Sequence, residues 1–164
     1  RARSRGRQAA ERWAEGHGAS AAEAAVGGQA ASLLSKLCRA GAGTEEEKLA
    51  VALLPNLAPA VAAAALACRD ACGCAPLHLA VASGSGDAVA ALLDAGADTE
   101  LFDEDQRTAL HLAASTGPAR VASLLLDAGC RPDVQDRFGR TPLYYAGLEG
   151  HKEVAALLVD RGKA

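Results

Sequence analysis

Methionine is absent from this chain of 164 residues, and Phe, Tyr and Trp together supply only 3% of it although half of the residues are apolar. Any interior must therefore be leucine, valine and a large excess of alanine, which suits thin helices that approach one another closely. No apolar stretch is both long enough and free enough of charge to cross a bilayer, because Arg69 and Asp70 end the alanine-rich run 57–68. A strong excess of either charge is missing as well: the net charge is −3, so nothing implies a general attraction to nucleic acid or to anionic membrane. The five cysteines, Cys38, Cys68, Cys72, Cys74 and Cys130, are odd in number and three of them are crowded together. That is no secreted disulfide framework, and it points to free thiols in a reducing, intracellular compartment, with the cytoplasm expected and nucleus or organelle as alternatives.

The charge is nevertheless uneven. Arg1, Arg3, Arg5, Arg7 and Arg12 face the single Glu11 within the first thirteen residues. Such a start fits an organelle transit peptide, a nucleic-acid or membrane-contacting arm, or the solvated end of a longer protein. Residues 1–14 are set apart as this basic extension.

What the chain has in abundance is repetition. Asp70, Asp103 and Asp136 stand 33 residues apart, as do Leu77, Leu110 and Leu143, then Gly84, Gly117 and Gly150, and Gly96, Gly129 and Gly162. A period of this length, carried at once by an acid, a leucine and two glycines, means one supersecondary unit stacked on itself. The units are DACGCAPLHLAVASG, DEDQRTALHLAASTG and DRFGRTPLYYAGLEG, each followed by an Ala/Leu/Val stretch that closes on LLDAGAD, LLLDAGC or LLVDRGK. These segments resemble the ankyrin repeat. The resemblance implies an all-α solenoid of helix-turn-helix units with hairpin-like fingers, over residues 70–102, 103–135 and 136–164.

Within a unit, Asp-x-x-Gly forms the finger tip, where Gly73 and Gly139 can take a positive φ. Thr141 and Pro142 then cap and open a helix, while Thr108-Ala109 and Ala75-Pro76 each keep one of those two signals. Leu77, Leu79 and Ala80, like Leu110, Leu112 and Ala113, give the buried stripe of the first helix. Leu110 and Leu143 are expected on faces shared by neighbouring repeats. The second helix carries Val89, Leu92 and Leu93, then Val121, Leu124 and Leu125, then Val154, Leu157 and Leu158, with Val89 one position out of register. Glycines 84, 117 and 150 should end the first helices, and Gly96, Gly129 and Gly162 should cap the second ones in the left-handed conformation.

Upstream, residues 15–69 read as degenerate helical repeats, with 15–43 as a decayed terminal unit. Thr44 and the following glutamates form a capping box for a helix broken at Pro55 and Asn56, and a further helix is expected over 57–67.

Three chemistry-bearing strings have structural explanations. Cys68, Cys72, Cys74 and His78 invite a zinc site, but Cys-x-Cys across a finger glycine places two thiols badly for one tetrahedral ion, so no metal and no cofactor are expected. Gly27, Gly28 and Gln29 match the hydrolysis tripeptide of peptide-release factors but sit between alanine-rich helical runs. Gly84-Ser85-Gly86-Asp87 lacks the lysine of a phosphate loop and falls at the turn between two helices. His78, His111 and Tyr144 share one slot, and the resemblance implies that this side chain bonds within and between fingers, an interaction Tyr144 is expected to keep. No nucleophile and base converge, so the chain is read as non-enzymatic.

The resemblance also implies that a protein partner lies along the finger tips and first helices. The matching residues are Ala71, Cys72, Cys74, Ala82 and Ser83 in the first repeat, Glu104, Asp105, Arg107, Ser115 and Thr116 in the second, and Arg137, Phe138, Arg140, Leu148 and Glu149 in the third. Arg137, Phe138 and Arg140 are the expected hot spots, because arginines and exposed aromatics dominate interface energetics. The function so implied is a protein-interaction scaffold or adaptor. The alternatives are a structural subunit or targeting module of a larger enzyme or complex, and an RNA or membrane contact through the arginine-rich arm. The last helix, KEVAALLVD at 152–160, has apolar residues at Val154, Leu157 and Leu158 that leave a C-terminal face, either a site for a neighbouring subunit or a cut end.

Overall fold

The computed structural model describes residues 59–162 except Ala71, together with residues 43–45, 48, 51–52 and 54–56. The arginine-rich arm, the decayed repeat at 15–43 and the tripeptide at 27–29 lie outside the described residues. Among the described residues there are seven α-helices and no strand: α1 Pro59–Ala67, α2 Pro76–Ala82, α3 Gly86–Asp94, α4 Ala109–Thr116, α5 Ala119–Asp127, α6 Pro142–Leu148 and α7 Lys152–Arg161. Glu45, Lys48, Val51 and Ala52 are helical, and a 3-10 turn at Leu54–Asn56 precedes α1.

The helices pair as α2/α3, α4/α5 and α6/α7, with first helices packing in one layer and second helices in another. The core is aliphatic and thin. Leu77, Leu92, Leu110, Leu125, Val89, Val121 and Val154 are among its fully buried apolar members, and Ala80, Ala109, Ala113 and Ala122 let the backbones approach. Val89 lies in the slot of Ala122, one position on from that of Val121, and the shift is a volume swap. Ala88 with Val89, and Val121 with Ala122, fill the same two buried slots in opposite order.

Helix starts follow different routes to one end. Thr141 Oγ1 accepts from the Tyr144 amide at 3.4 Å, and Ser85 Oγ from the Ala88 amide at 3.1 Å. Ser85 thereby explains the Gly-Ser-Gly string as a helix cap. At α2 and α4 the cap comes from the third helical residue instead: the Ala75 amide donates to His78 Nδ1 at 3.3 Å and the Thr108 amide to His111 Nδ1 at 3.1 Å. An alanine at position 75 is tolerated because the histidine, not the cap side chain, takes the orphan donor.

Glycines 84, 117 and 150, and then 96 and 129, stand at helix ends with positive φ, whereas Gly162 has φ −74° and is not a left-handed cap. Gly117 has a second reason to be glycine. A Cβ there would lie 2.4 Å from the His151 ring, whose Nε2 bonds the Ser115 carbonyl at 3.1 Å.

Two expectations about buried faces need correction. Leu143 is 41% exposed, against 2% for Leu77 and 0% for Leu110 in the same slot, because α6 has no following helix pair among the described residues to cover it. Val154 and Leu158 are buried against α5 and α6, so the exposed large apolar side chains of the last unit are Phe138 at its finger and Leu143, Tyr144, Leu148 and Val159 on its helices.

Candidate protein-interaction surface

Each finger is a turn organised by its aspartate. Asp103 Oδ1 accepts the Asp105 and Arg107 amides at 2.8 and 2.9 Å, and Asp136 Oδ1 accepts those of Phe138 and Arg140 at 2.8 and 2.9 Å. Asp70 does the same for Cys72 and Cys74. The loop closes through the backbone, where the amides of Asp70, Asp103 and Asp136 donate to the carbonyls of Cys74, Arg107 and Arg140. The tip slot holds Gly73, Gln106 and Gly139, all with positive φ, and Gln106 at +58° is the only non-glycine residue among those described to adopt it.

Neighbouring fingers are linked by the histidines. His78 Nε2 bonds the Arg107 carbonyl and His111 Nε2 the Arg140 carbonyl, each at 3.2 Å. A carbonyl can only accept, so Nε2 carries the proton and Nδ1 is the lone pair that receives the cap amide, and at His111 also the Thr108 hydroxyl at 2.9 Å. Burial pushes both histidine pKa values down, more than the carbonyl contacts raise them, and the rings are held neutral. With both nitrogens engaged, His78 has no lone pair to offer a metal.

The third slot does not follow the rule. Tyr144 is 52% exposed and makes no such link. The adjacent Tyr145, in a slot that holds Leu79 and Leu112 elsewhere, turns inward and donates to Asp136 Oδ2 at 2.7 Å. Burial alone raises the Asp136 pKa, but the Tyr145 hydroxyl, the Arg140 and Phe138 amides and the Arg140 guanidinium outweigh it and hold the carboxyl well below the usual carboxylate range.

Arg107 and Arg140 are therefore anchored. Arg107 Nε meets Asp103 Oδ2 at 2.9 Å, and Arg140 Nε meets Asp136 Oδ2 at 3.0 Å, each with a second contact through the other nitrogen. Arg140 also lies over the Tyr145 ring at 4.8 Å and over the Phe138 ring at 4.5 Å. The signal was in the sequence, as an Asp and an Arg four residues apart at 103/107 and again at 136/140. Arg137 extends to Asp105 Oδ1 at 2.9 Å and stacks on Phe138 at 4.6 Å. Phe138 itself is 59% exposed.

Of the remaining surface residues, Glu104, Thr116, Leu148 and Glu149 are exposed, while Asp105 and Ser115 are half-buried. The Thr116 hydroxyl is turned back onto the Leu112 carbonyl at 2.9 Å. In the first finger, Cys72 is exposed and Cys74 half-buried, its thiol pushed up to about 11 by burial and then by Asp70 and Asp103. Such a thiol is a poor nucleophile and a poor metal ligand at neutral pH. Among the described residues no group of three or more His, Cys, Asp or Glu side chains is arranged to hold a metal, and no helix is long and apolar enough to cross a membrane.

The geometry of helix pairs joined by aspartate-organised, histidine-linked fingers coincides with the comparison against family models. The model for ankyrin repeats, in three copies, matches residues 23–136 and 77–164. A comparison with curated proteins finds no match. With the family match spanning most of its length, the chain belongs to the ankyrin-repeat family, whose members typically act as non-enzymatic modules that mediate protein–protein interaction.

Proposed function

We propose that this chain is a scaffold or adaptor that binds a protein partner along its finger tips and first helices, with the third finger as the energetic centre. The observation that carries this reading is Phe138, exposed at a finger tip while the guanidinium groups of Arg137 and Arg140 lie 4.6 and 4.5 Å from its ring centre. An aromatic side chain already held in place by two cations loses little conformational entropy on binding, and aromatic and arginine residues are the commonest interface hot spots. Glu104 at the exposed tip of the second finger and Arg137 on the third carry opposite charges, which favours a partner segment bearing both signs. A reducing intracellular compartment, the cytoplasm by preference, is the setting that suits the free thiols of Cys72, Cys74 and Cys130.

Crosslinked capture from native extract, followed by titration of the recovered partner, tests the reading. Phe138→Ala should weaken binding by roughly 30-fold or more, the level expected of a hot spot. A partner bound equally well by Phe138→Ala and by a Glu104→Ala/Arg137→Ala variant would sink the fingertip surface as the binding site.

A further inference from the structure

On the second and third fingers the hydrogen-bond acceptors are largely used up and the donors are not. Asp103 and Asp136 each give one carboxylate oxygen to two backbone amides and the other to the arginine four residues along. The Asp105 carboxylate lies between Arg107 at 3.3 Å and Arg137 at 2.9 Å, and its carbonyl accepts the Arg137 amide at 3.2 Å. The carbonyls of Arg107 and Arg140 are taken by finger amides and by the two histidines. The exposed Glu104 is the exception, and it lies against Gly73 of the first finger, where a Cβ would come within 2.9 Å of its side chain.

Arg107 and Arg140 meet their aspartates through Nε and Nη2, and Nη1 of neither has a hydrogen-bond partner among the described residues. The exposed Gln106 amide is also unbonded among the described residues, although its backbone holds φ +58° where the flanking fingers have glycine. A strained residue whose side chain gains no contact within its own chain points to a contact outside it. These features do not come from the end of the array. Arg107, with a repeat on either side, is 31% exposed and Arg140 is 32% exposed. Cys72, in the slot of Phe138, is exposed with the second finger beyond it.

Because each guanidinium is neutralised by its own aspartate, the remaining donors suit an uncharged carbonyl better than a carboxylate. Spacing then selects the backbone that carries it. α6 packs on α4, and packed helices lie about 8–10 Å apart, so the equivalent Nη1 donors recur at about that interval. A polyproline-II segment turns once in three residues of about 3.1 Å and so presents carbonyls on one side about 9 Å apart. Those carbonyls are unpaired within the segment, and proline brings no N–H to be satisfied. Carbonyls on one edge of a β-strand recur at about 6.7 Å, and those of an α-helix are bonded internally. Phe138, 59% exposed, supplies the aromatic surface on which proline rings pack.

We infer that these two fingers bind a proline-rich segment of the partner in the polyproline-II conformation. Its carbonyls at every third residue meet Arg107 and Arg140, its rings meet Phe138, and Gln106 reads the same main chain. The inference rests on the fingertip reading and adds the chemistry of the partner to it.

The probe is a fluorescein-labelled peptide of repeated Ala-Pro-Pro units, titrated into the full chain and followed by anisotropy. Ala-Gly-Gly units, which lose the conformation, and Asp-Pro-Pro units, which add carboxylates, are the controls. The Ala-Pro-Pro peptide should bind roughly 10-fold or more tighter than the Ala-Gly-Gly peptide, and Phe138→Ala should weaken it roughly 10-fold. Its affinity should change less than about 2-fold between about 50 and 300 mM salt. Gln106→Gly should weaken it roughly 3-fold or more while melting no lower than the parent, which separates lost contact from lost fold. Equal binding of the Ala-Gly-Gly peptide, tighter and salt-sensitive binding of the Asp-Pro-Pro peptide, or full binding by Gln106→Gly and Phe138→Ala would overturn the inference. If no peptide binds while the captured partner is still lost on Phe138→Ala, the polyproline-II assignment falls and the fingertip reading stands.

Discussion

Tyr145 and Asp136 form a buried tyrosine–carboxylate pair, 2.7 Å apart, within the third repeat, the repeat whose histidine slot is filled by the exposed Tyr144. The carboxylate is retained in its ionised form by the hydroxyl, two backbone amides and Arg140, against the cost of burial. Because its folded pKa is depressed, its contribution to stability is present above the unfolded value of about 4 and is lost as pH falls through the folded pKa.

Tyr145→Phe should therefore cost about 1.5–3 kcal/mol at neutral pH, the range for a hydrogen bond to a charged group. Urea midpoints measured from pH 7 downward should show the gap between the variant and the parent narrowing below about pH 4, where the variant's carboxyl protonates first. A gap that stays constant into acid would show that the hydroxyl does not act through the carboxylate.

The neutral histidines give a second pH signature at a different place. Their depressed folded pKa values mean that stability is complete above the unfolded value of about 6.5 and declines as pH falls through the folded values. Chemical denaturation should find the chain weaker at pH 5 than at pH 7.5. His111→Gln, less stable at pH 7.5, should show a shallower dependence over the same interval; an unchanged slope would remove His111 as a source of it.

Gln106 carries backbone strain that its counterparts Gly73 and Gly139 avoid. Gln106→Gly should raise stability by about 0.5–1 kcal/mol, because relief of a left-handed non-glycine conformation exceeds the extra freedom given to the unfolded chain. Thermal melts that fall or stay unchanged would mean that the side chain compensates in a way its geometry does not reveal.

Leu110→Ala and Leu143→Ala make a matched pair, identical in chemistry and in repeat slot. The first should cost about 2–5 kcal/mol and the second less than about 1 kcal/mol, since only Leu110 leaves a closed cavity. Equal losses would mean that the end of the solenoid is covered in solution.

Much of this was legible in the chain. The 33-residue spacing of Asp103, Leu110 and Gly117 with their counterparts identified the unit, because a stacked repeat must present the same turn, the same core residue and the same stop each time. The inward turn of Tyr145 was not, since its slot holds leucine elsewhere and the carboxylate it meets lies nine residues away around the finger. The one-position shift of Val89 onto the slot of Ala122 was legible, but its packing consequence was not. Sequence alignment counts positions, whereas packing counts volume, and Ala88–Val89 and Val121–Ala122 fill the same two slots with the same atoms. The exposure of Leu143 depended on a neighbour that periodicity cannot supply.

The ion pairs between repeats also determine how far the array can be rearranged. The apolar slots recur closely enough that deleting residues 103–135 would bring the first and third units together with leucine facing the same surfaces as before, and Asp94 would take the place of Asp127 opposite Arg161. Glu153, however, would fall where Arg120 now meets Asp87, and Arg137 would find Cys72 in place of Asp105. Oil alone would let these units be shuffled like beads; the arrangement of charge is what gives them an order.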